Sequence, residues 1–234
     1  MGWRERLVDV ARFMVRPSHI LQPASWRPGF GAVWGLLVML TLLAVLLARV
    51  LIEAVLGSIG VVPDSTVDDS LGPRAVLSAV VLAPLLEEAL SRGWLSGRVA
   101  ALRFAAYGVI ALALLLAGLI VSPDFRRILA LAAAAVVFAG LIHWSLTRHR
   151  DSAVPGWFIR HFRWLVWGSS LVFALLHLGN YEALTHPLGV LVVMPLMIGG
   201  MLLAYTRTRL GLRAAMLHHA AYNAVLVGLA LTLS

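Results

Sequence analysis

Two adjacent carboxylates, Glu87 and Glu88, stand inside an apolar stretch of the sequence, and Arg92 follows them. Ionisable side chains in apolar surroundings cost free energy, so they mark candidate functional sites. Residues four apart share a helix face, which predicts a structural ion pair between Glu88 and Arg92. Glu87 lies about 100° further round the helix. It is therefore the predicted general base, and a structural clamp of all three residues is the alternative.

Two later apolar stretches also carry polar groups at helical spacing. His177 follows Phe173 by four residues, and Asn223 follows His219 by four. Each pair would therefore share a helix face. A His–Asn pair can hold a metal ion, bind a peptide carbonyl or stabilise an oxyanion. Together with Glu87, these residues are sufficient to activate water and polarise a carbonyl.

The elements that carry these residues must be membrane helices. Of the 234 residues, 61% are hydrophobic and 13% are charged, against roughly 45–50% and about 25% in soluble domains. Such a composition excludes a water-soluble globular fold, and it also excludes disorder, which needs low hydrophobicity. Because one span takes about 20 residues, the sequence predicts an all-α polytopic membrane helical bundle with about seven transmembrane helices, or eight as the alternative.

Apolar runs, separated by Pro, Gly and charged residues, give the predicted organisation of the chain. Residues 1–28 form a basic arm that is cytoplasmic or interfacial, and residues 29–234 form a single integral membrane domain with its motif-bearing core at about 80–225. The predicted spans are 33–56, 74–98, 104–121, 128–146, 162–181, 188–205 and 212–233.

Charge predicts the orientation. The formal net charge is +8, and the 19 basic residues are all Arg. In a membrane protein this excess indicates cytoplasmic loops rather than a nucleic-acid partner. Most arginines, Arg27 among them, then fall on the side of the N-terminus, while Asp68 and Asp69 fall outside. The expected location is the inner membrane of a bacterial cell, with the N-terminus cytoplasmic.

Three ordered motifs resemble a known family. Glu87 to Arg92, followed by Gly93-Trp94-Leu95, resembles EExxxR; Phe173 to His177 resembles FxxxH; and His219 to Asn223 resembles HxxxN. Their order is similar to that in the CPBP family of intramembrane proteases, the CAAX protease and bacteriocin-processing family. The eukaryotic CAAX prenyl endopeptidase belongs to this family.

The resemblance implies an intramembrane endopeptidase that hydrolyses a peptide bond at or in the membrane. Glu87 and His177 would activate a water, His219 and Asn223 would stabilise the oxyanion or help to hold a metal, and Glu88 would pair with Arg92. The expected partners are the lipid bilayer and a membrane-associated protein or peptide substrate.

Metal dependence and catalysis itself stay open at this point. Glu87, His177 and His219 would make a three-ligand zinc site with open coordination, whereas a Glu-activated water would need no metal. Two alternatives fall outside proteolysis: a non-catalytic bacteriocin-immunity or scaffold protein, and a proton-coupled transporter that uses buried Glu and His as relays.

Overall fold

The computed structural model describes residues 2–24, 26, 29–66 and 72–233. Arg27, Asp68 and Asp69 lie outside these residues, as do parts of the predicted arm at 25 and 28. The described α-helices are α1 (Trp3–Val15), α2 (Phe30–Gly57), α3 (Pro73–Leu77), α4 (Ala83–Arg92), α5 (Val99–Gly118), α6 (Pro123–Thr147), α7 (Gly156–Leu176), α8 (Met194–Leu210) and α9 (Leu212–Leu233).

The predicted polytopic helical fold is confirmed. Among the described residues, six helical stretches are long and apolar enough to cross a membrane. The further predicted span, at 74–98, is α3 and α4 joined by a π-helical turn at Ser78–Leu82 and followed by a 3₁₀ turn at Gly93–Ser96. The six stretches are Phe30–Gly57, Val99–Gly118, Pro123–Thr147, Gly156–Asn180, Pro187–Leu210 and Leu212–Thr232.

Contacts divide the chain into two compact units. The first unit comprises Met1–Glu88 and Phe162–Ser234, and the second comprises Ala89–His161. In the second unit, α5 packs on α6 where the Tyr107 ring covers Gly140, a position at which a Cβ would come within 2.7 Å of that ring. Only glycine allows this close approach.

Helix α8 lies at the centre of the first unit. Most of its residues are buried, whereas Leu43 and Val50 on α2 are more than half exposed, as expected of side chains that face lipid. Helices α2 and α8 pack closely at Gly199, where a Cβ would lie 3.4 Å from Val45 Cγ2. Helix α8 ends at Gly211, whose φ of +98° lets the chain turn directly into α9.

One end of the first unit is rich in arginine. The Ala24 amide donates to the Arg209 carbonyl (2.7 Å), which ties the N-terminal arm to the end of α8. Trp34 Nε1, near the start of α2, donates to the Ala214 carbonyl near the start of α9 (3.0 Å). We call this the arginine-rich end; it comprises residues 2–24, the end of α8 and the start of α9, with Arg207, Arg209 and Arg213.

The opposite end of the first unit is closed by loop contacts. An isolated antiparallel bridge joins Ser65 to Tyr181. The Glu182 amide donates to the Asp64 carbonyl (2.9 Å). These contacts fix the loop after α2 against the chain that follows α7, so both ends of the helices around the site are held.

Candidate active site

One cavity of about 210 Å³ lies inside the first unit. Residues of α2, α4, α7, α8 and α9 form its wall, together with His177 in the 3₁₀ turn His177–Asn180 that follows α7. The wall is mostly apolar. The four residues predicted to be catalytic all line it: Glu87, His177, His219 and Asn223.

Glu88 orients His219. Glu88 is fully buried, and its Oε1 lies 3.0 Å from Nδ1 of His219. A carboxylate accepts, so this contact assigns the proton to Nδ1 and leaves Nε2 as the acceptor nitrogen. Nε2 lies 3.9 Å from Oε2 of Glu87. That distance is too long for a direct hydrogen bond and suits a bridging water. The sequence did not indicate the Glu88–His219 contact, because 131 positions separate the two residues.

The Phe173 residue fixes the position of His177. Nδ1 of His177 donates to the Phe173 carbonyl at 2.8 Å, which again directs the proton to Nδ1. The two rings lie 4.7 Å apart, and the Phe173 ring also lies 6.4 Å from that of His219. Phe173 therefore contacts both imidazoles, which gives the spacing of the Phe–His motif a physical reason.

Asn223 holds the π-helical turn that precedes the glutamates. Its Nδ2 donates to the Ala79 carbonyl at 2.8 Å. In this turn the Ala83 amide donates to Ser78, five residues back. The next residue, Pro84, has no N–H to donate. The carbonyl of Ala79 therefore lacks its backbone donor, and the side chain of Asn223 supplies one.

His218 joins three helices beside the cavity. Its Nδ1 lies 2.9 Å from Thr206 Oγ1 on α8, and its Nε2 lies 3.0 Å from Thr41 Oγ1 on α2. All three side chains are buried, and Thr41 also lines the cavity. These partners of His218 lie on other helices, so no local spacing in the sequence indicates them.

Residues 150–225 match the family model of type II CAAX prenyl endopeptidase Rce1-like proteins. This segment, about a third of the chain, resembles a CAAX protease domain. A search of curated proteins and of solved structures finds no significant match. The predicted resemblance to the CAAX protease family is thus confirmed over this segment, and the six apolar helical stretches fit a multi-pass membrane protein.

The segment that matches the CAAX protease family contains the Phe–His and His–Asn motifs but not the paired glutamates. The glutamates are linked to it by structure, through the contacts of His219 with Glu88 and Glu87. Arg92 is buried and its guanidinium donates to Ser91 Oγ at 3.2 Å. Arg92 belongs to the second compact unit, and its ion pair with Glu88 stays a prediction.

A metal ion would need more converging donors than the described residues present. Within the described residues, no three His, Cys, Asp or Glu side chains are placed to hold one. The donor chemistry of Glu87, His177 and His219 suits zinc, but their arrangement does not close a three-donor set. The chemistry below is therefore derived from the side chains alone.

Proposed function

We propose that this protein is an intramembrane endopeptidase in which Glu87 activates a water against a peptide bond. The observation that carries the proposal is the pair of contacts at His219. A fully buried carboxylate fixes one ring nitrogen, and the other faces the Glu87 carboxylate across 3.9 Å. A carboxylate and an oriented imidazole on either side of one water form a general-base arrangement.

The proposed reaction begins with a water between Oε2 of Glu87 and Nε2 of His219. Glu87 takes a proton from this water while the water oxygen bonds to the carbonyl carbon of the peptide. The tetrahedral intermediate then collapses, the C–N bond breaks, and the protonated Glu87 returns the proton to the leaving amine. Glu88 keeps the His219 ring in the required tautomer and orientation, as the buried carboxylate does in a Ser–His–Asp triad.

The developing oxyanion needs a donor on the cavity wall. Asn223 has two N–H groups on Nδ2, and one of them binds Ala79. We assign the other to the oxyanion. His177 presents Nε2 as an acceptor, because its Nδ1 donates to the Phe173 carbonyl. A water has two O–H groups, so we assign this nitrogen as the alternative to His219 for the O–H that Glu87 does not hold. The apolar wall strengthens these interactions by excluding solvent.

The proposed substrate is a membrane-associated protein or peptide, since the cavity is enclosed by apolar helices. The proposed location is the inner membrane of a bacterial cell, with the arginine-rich end in the cytoplasm. The matched family is named for a CAAX prenyl endopeptidase. Peptides with and without a prenyl anchor therefore belong in the substrate panel.

The first test is cleavage by the purified protein in liposomes. Products from membrane-anchored peptides would be identified by mass spectrometry. Glu87→Gln should lower turnover by about 10²–10⁴-fold, because an amide cannot take the proton. Its folding should stay near normal, since the amide keeps the shape of a side chain that is 34% exposed. Glu53→Gln, an exposed glutamate on α2, is the matched control and should cleave normally.

Three outcomes would redirect the proposal. Equal cleavage by Glu87→Gln and the native protein would remove Glu87 from the chemistry. Loss of cleavage with a chelator, restored by zinc, would show that a metal replaces the direct Glu87 step. A folded protein that cleaves no anchored peptide would instead support an immunity or scaffold role.

A further inference from the structure

Helix α1 presents two different surfaces. Val10 and Phe13 are buried, and the Phe13 ring meets the Tyr205 ring of α8 at 5.3 Å. On another face, Trp3, Leu7 and Val15 are 56%, 44% and 70% exposed. Residues four apart lie in one strip along a helix. We call Trp3, Leu7, Ala11 and Val15 the α1 strip.

Contacts with α8 fix the direction in which the α1 strip faces. Arg209 Nε donates to Asp9 Oδ2 at 3.1 Å, and Tyr205 donates to the same oxygen at 2.9 Å. Arg209 also donates to the carbonyl and the hydroxyl of Ser18, each at 2.9 Å. The buried face is thus held by a charged clamp, and the α1 strip is left facing away from the chain.

Positive charge surrounds the α1 strip. Arg4 and Arg12 on α1 are exposed, and so are Arg16 directly after it and Arg213 at the start of α9. Glu5 is the one exposed acidic residue on α1, and its carboxylate accepts from the Gly2 amide (2.8 Å). The surface around the strip is therefore apolar in one arc and cationic beside it, which is the pattern of a helix lying in a membrane interface.

Exposed tryptophans place the membrane interface at the same end of the first unit. Trp26, just before α2, is 58% exposed and stacks on Phe30. Trp164 on α7 is 62% exposed. Phe162, two residues before it, contacts the His19 ring of the N-terminal arm, with the ring centres 5.2 Å apart. Tryptophan is enriched where hydrocarbon meets headgroups, so α1 lies at headgroup depth.

We propose that α1 is an interfacial helix that binds anionic phospholipid, with the α1 strip in the acyl boundary and Arg4, Arg12 and Arg16 on the headgroups. Each basic residue near an anionic leaflet strengthens binding to that leaflet roughly fivefold. The tryptophan level favours lipid over a protein partner as the occupant of the strip. This proposal does not depend on peptide hydrolysis.

The experiment uses the full-length protein in vesicles, with one cysteine introduced. The native chain has none, so a single label is unambiguous. A nitroxide at Leu7→Cys should collide with oxygen dissolved in lipid and avoid a water-soluble nickel chelate. The control, Glu5→Cys on the polar arc, should show the reverse. A label at Leu7 that both reagents miss would mean that a protein covers the strip, and one reached mainly by nickel would mean water; either result overturns the proposal.

Lipid class is tested with a fluorescent label at the same cysteine. Brominated phosphatidylglycerol should quench it several-fold more than brominated phosphatidylcholine at equal mole fraction. The preference should disappear in the R4Q/R12Q/R16Q variant and persist in Arg49→Gln, an exposed arginine on α2. Equal quenching by both lipids in the native protein would overturn the anionic assignment.

Discussion

Glu88 and His219 show how a buried charge determines the chemistry of its neighbour. Glu88 is fully buried and accepts from Nδ1 of His219. A hydrogen bond to a charged group contributes roughly 1.5–3 kcal/mol, and the ring cannot rotate without losing it. The second ring nitrogen is thereby directed to the cavity and Glu87. Glu88 therefore acts on the proposed reaction through His219.

A double-mutant cycle measures this coupling. Glu88→Gln and His219→Gln should each lower the free energy of unfolding in detergent, and the double variant should lose less than the sum. The expected coupling is about 1–3 kcal/mol. The Glu87/His219 cycle is the comparison and should give a smaller value, because those atoms lie 3.9 Å apart. Additive losses for Glu88 and His219 would contradict the orienting role.

Sequence reasoning found the polar residues around the cavity but not their pairings. Glu87, His177 and His219 are noticeable because charged or titratable groups are costly in apolar segments. Which nitrogen meets which carboxylate depends on helix packing across more than a hundred residues. Only local spacing is visible in a sequence, so it predicted Arg92 as the partner of Glu88 and could not show His219.

At the scale of helices, the π-helical turn between α3 and α4 is the feature that hydropathy could not predict. Ser78–Leu82 is as apolar as the helices around it, so a continuous span was expected. A π turn changes which face of the following helix meets its neighbours, and such turns often occur at functional sites. Here the turn directly precedes Glu87 and Glu88, and Asn223 holds it.

Asn223→Asp tests that support. The carboxylate has the same shape but cannot donate to the Ala79 carbonyl, and two acceptors would then face each other. We expect a loss of about 1–3 kcal/mol in the free energy of unfolding, together with reduced turnover. The control is Asn180→Asp, whose side chain is exposed, and it should unfold like the native protein. A fully stable Asn223→Asp variant would show that the turn does not need this donor.

The clamp between α1 and α8 predicts a pH dependence. Partial burial acts to raise the pKa of Asp9, but hydrogen bonds from Arg209 and Tyr205 and the Arg209 charge outweigh it, so the pKa lies below the ordinary 3.8. A lowered carboxyl pKa stabilises the fold fully above the unfolded value, and this contribution is lost as the pH falls through the folded value.

Thermal stability measured against pH checks this prediction. The native protein should exceed Asp9→Asn by a constant margin above about pH 5. That margin should shrink as the pH falls below 3.8, the ordinary pKa of the carboxyl group. Glu5→Gln, which leaves the clamp intact, serves as the control. A margin that grows on acidification would mean that Asp9 is not held as a carboxylate.

For the whole molecule, composition was sufficient to predict the membrane fold. The stretches Phe30–Gly57 and Leu212–Thr232 contain the predicted spans 33–56 and 212–233 nearly to their ends, because about 20 apolar residues are required wherever a helix crosses lipid. The sequence did not show that the chain divides into two compact units. Apolar faces look alike in sequence whether they meet protein or lipid.

Orientation in the membrane is the remaining prediction, and one helix suffices to test it. Gly156–Asn180 is long and apolar enough to span, so residues on either side should face opposite compartments. Ser152 follows Arg148 and Arg150, whereas Glu182 follows the span. Because arginine accumulates on the cytoplasmic side, an impermeant maleimide should label Glu182→Cys in intact bacterial cells and Ser152→Cys only after permeabilisation. The cysteine-free native chain gives the background. Labelling of Ser152→Cys alone in intact cells would invert the topology and place the arginine-rich end outside, whereas equal labelling of both would show that this helix does not cross the membrane.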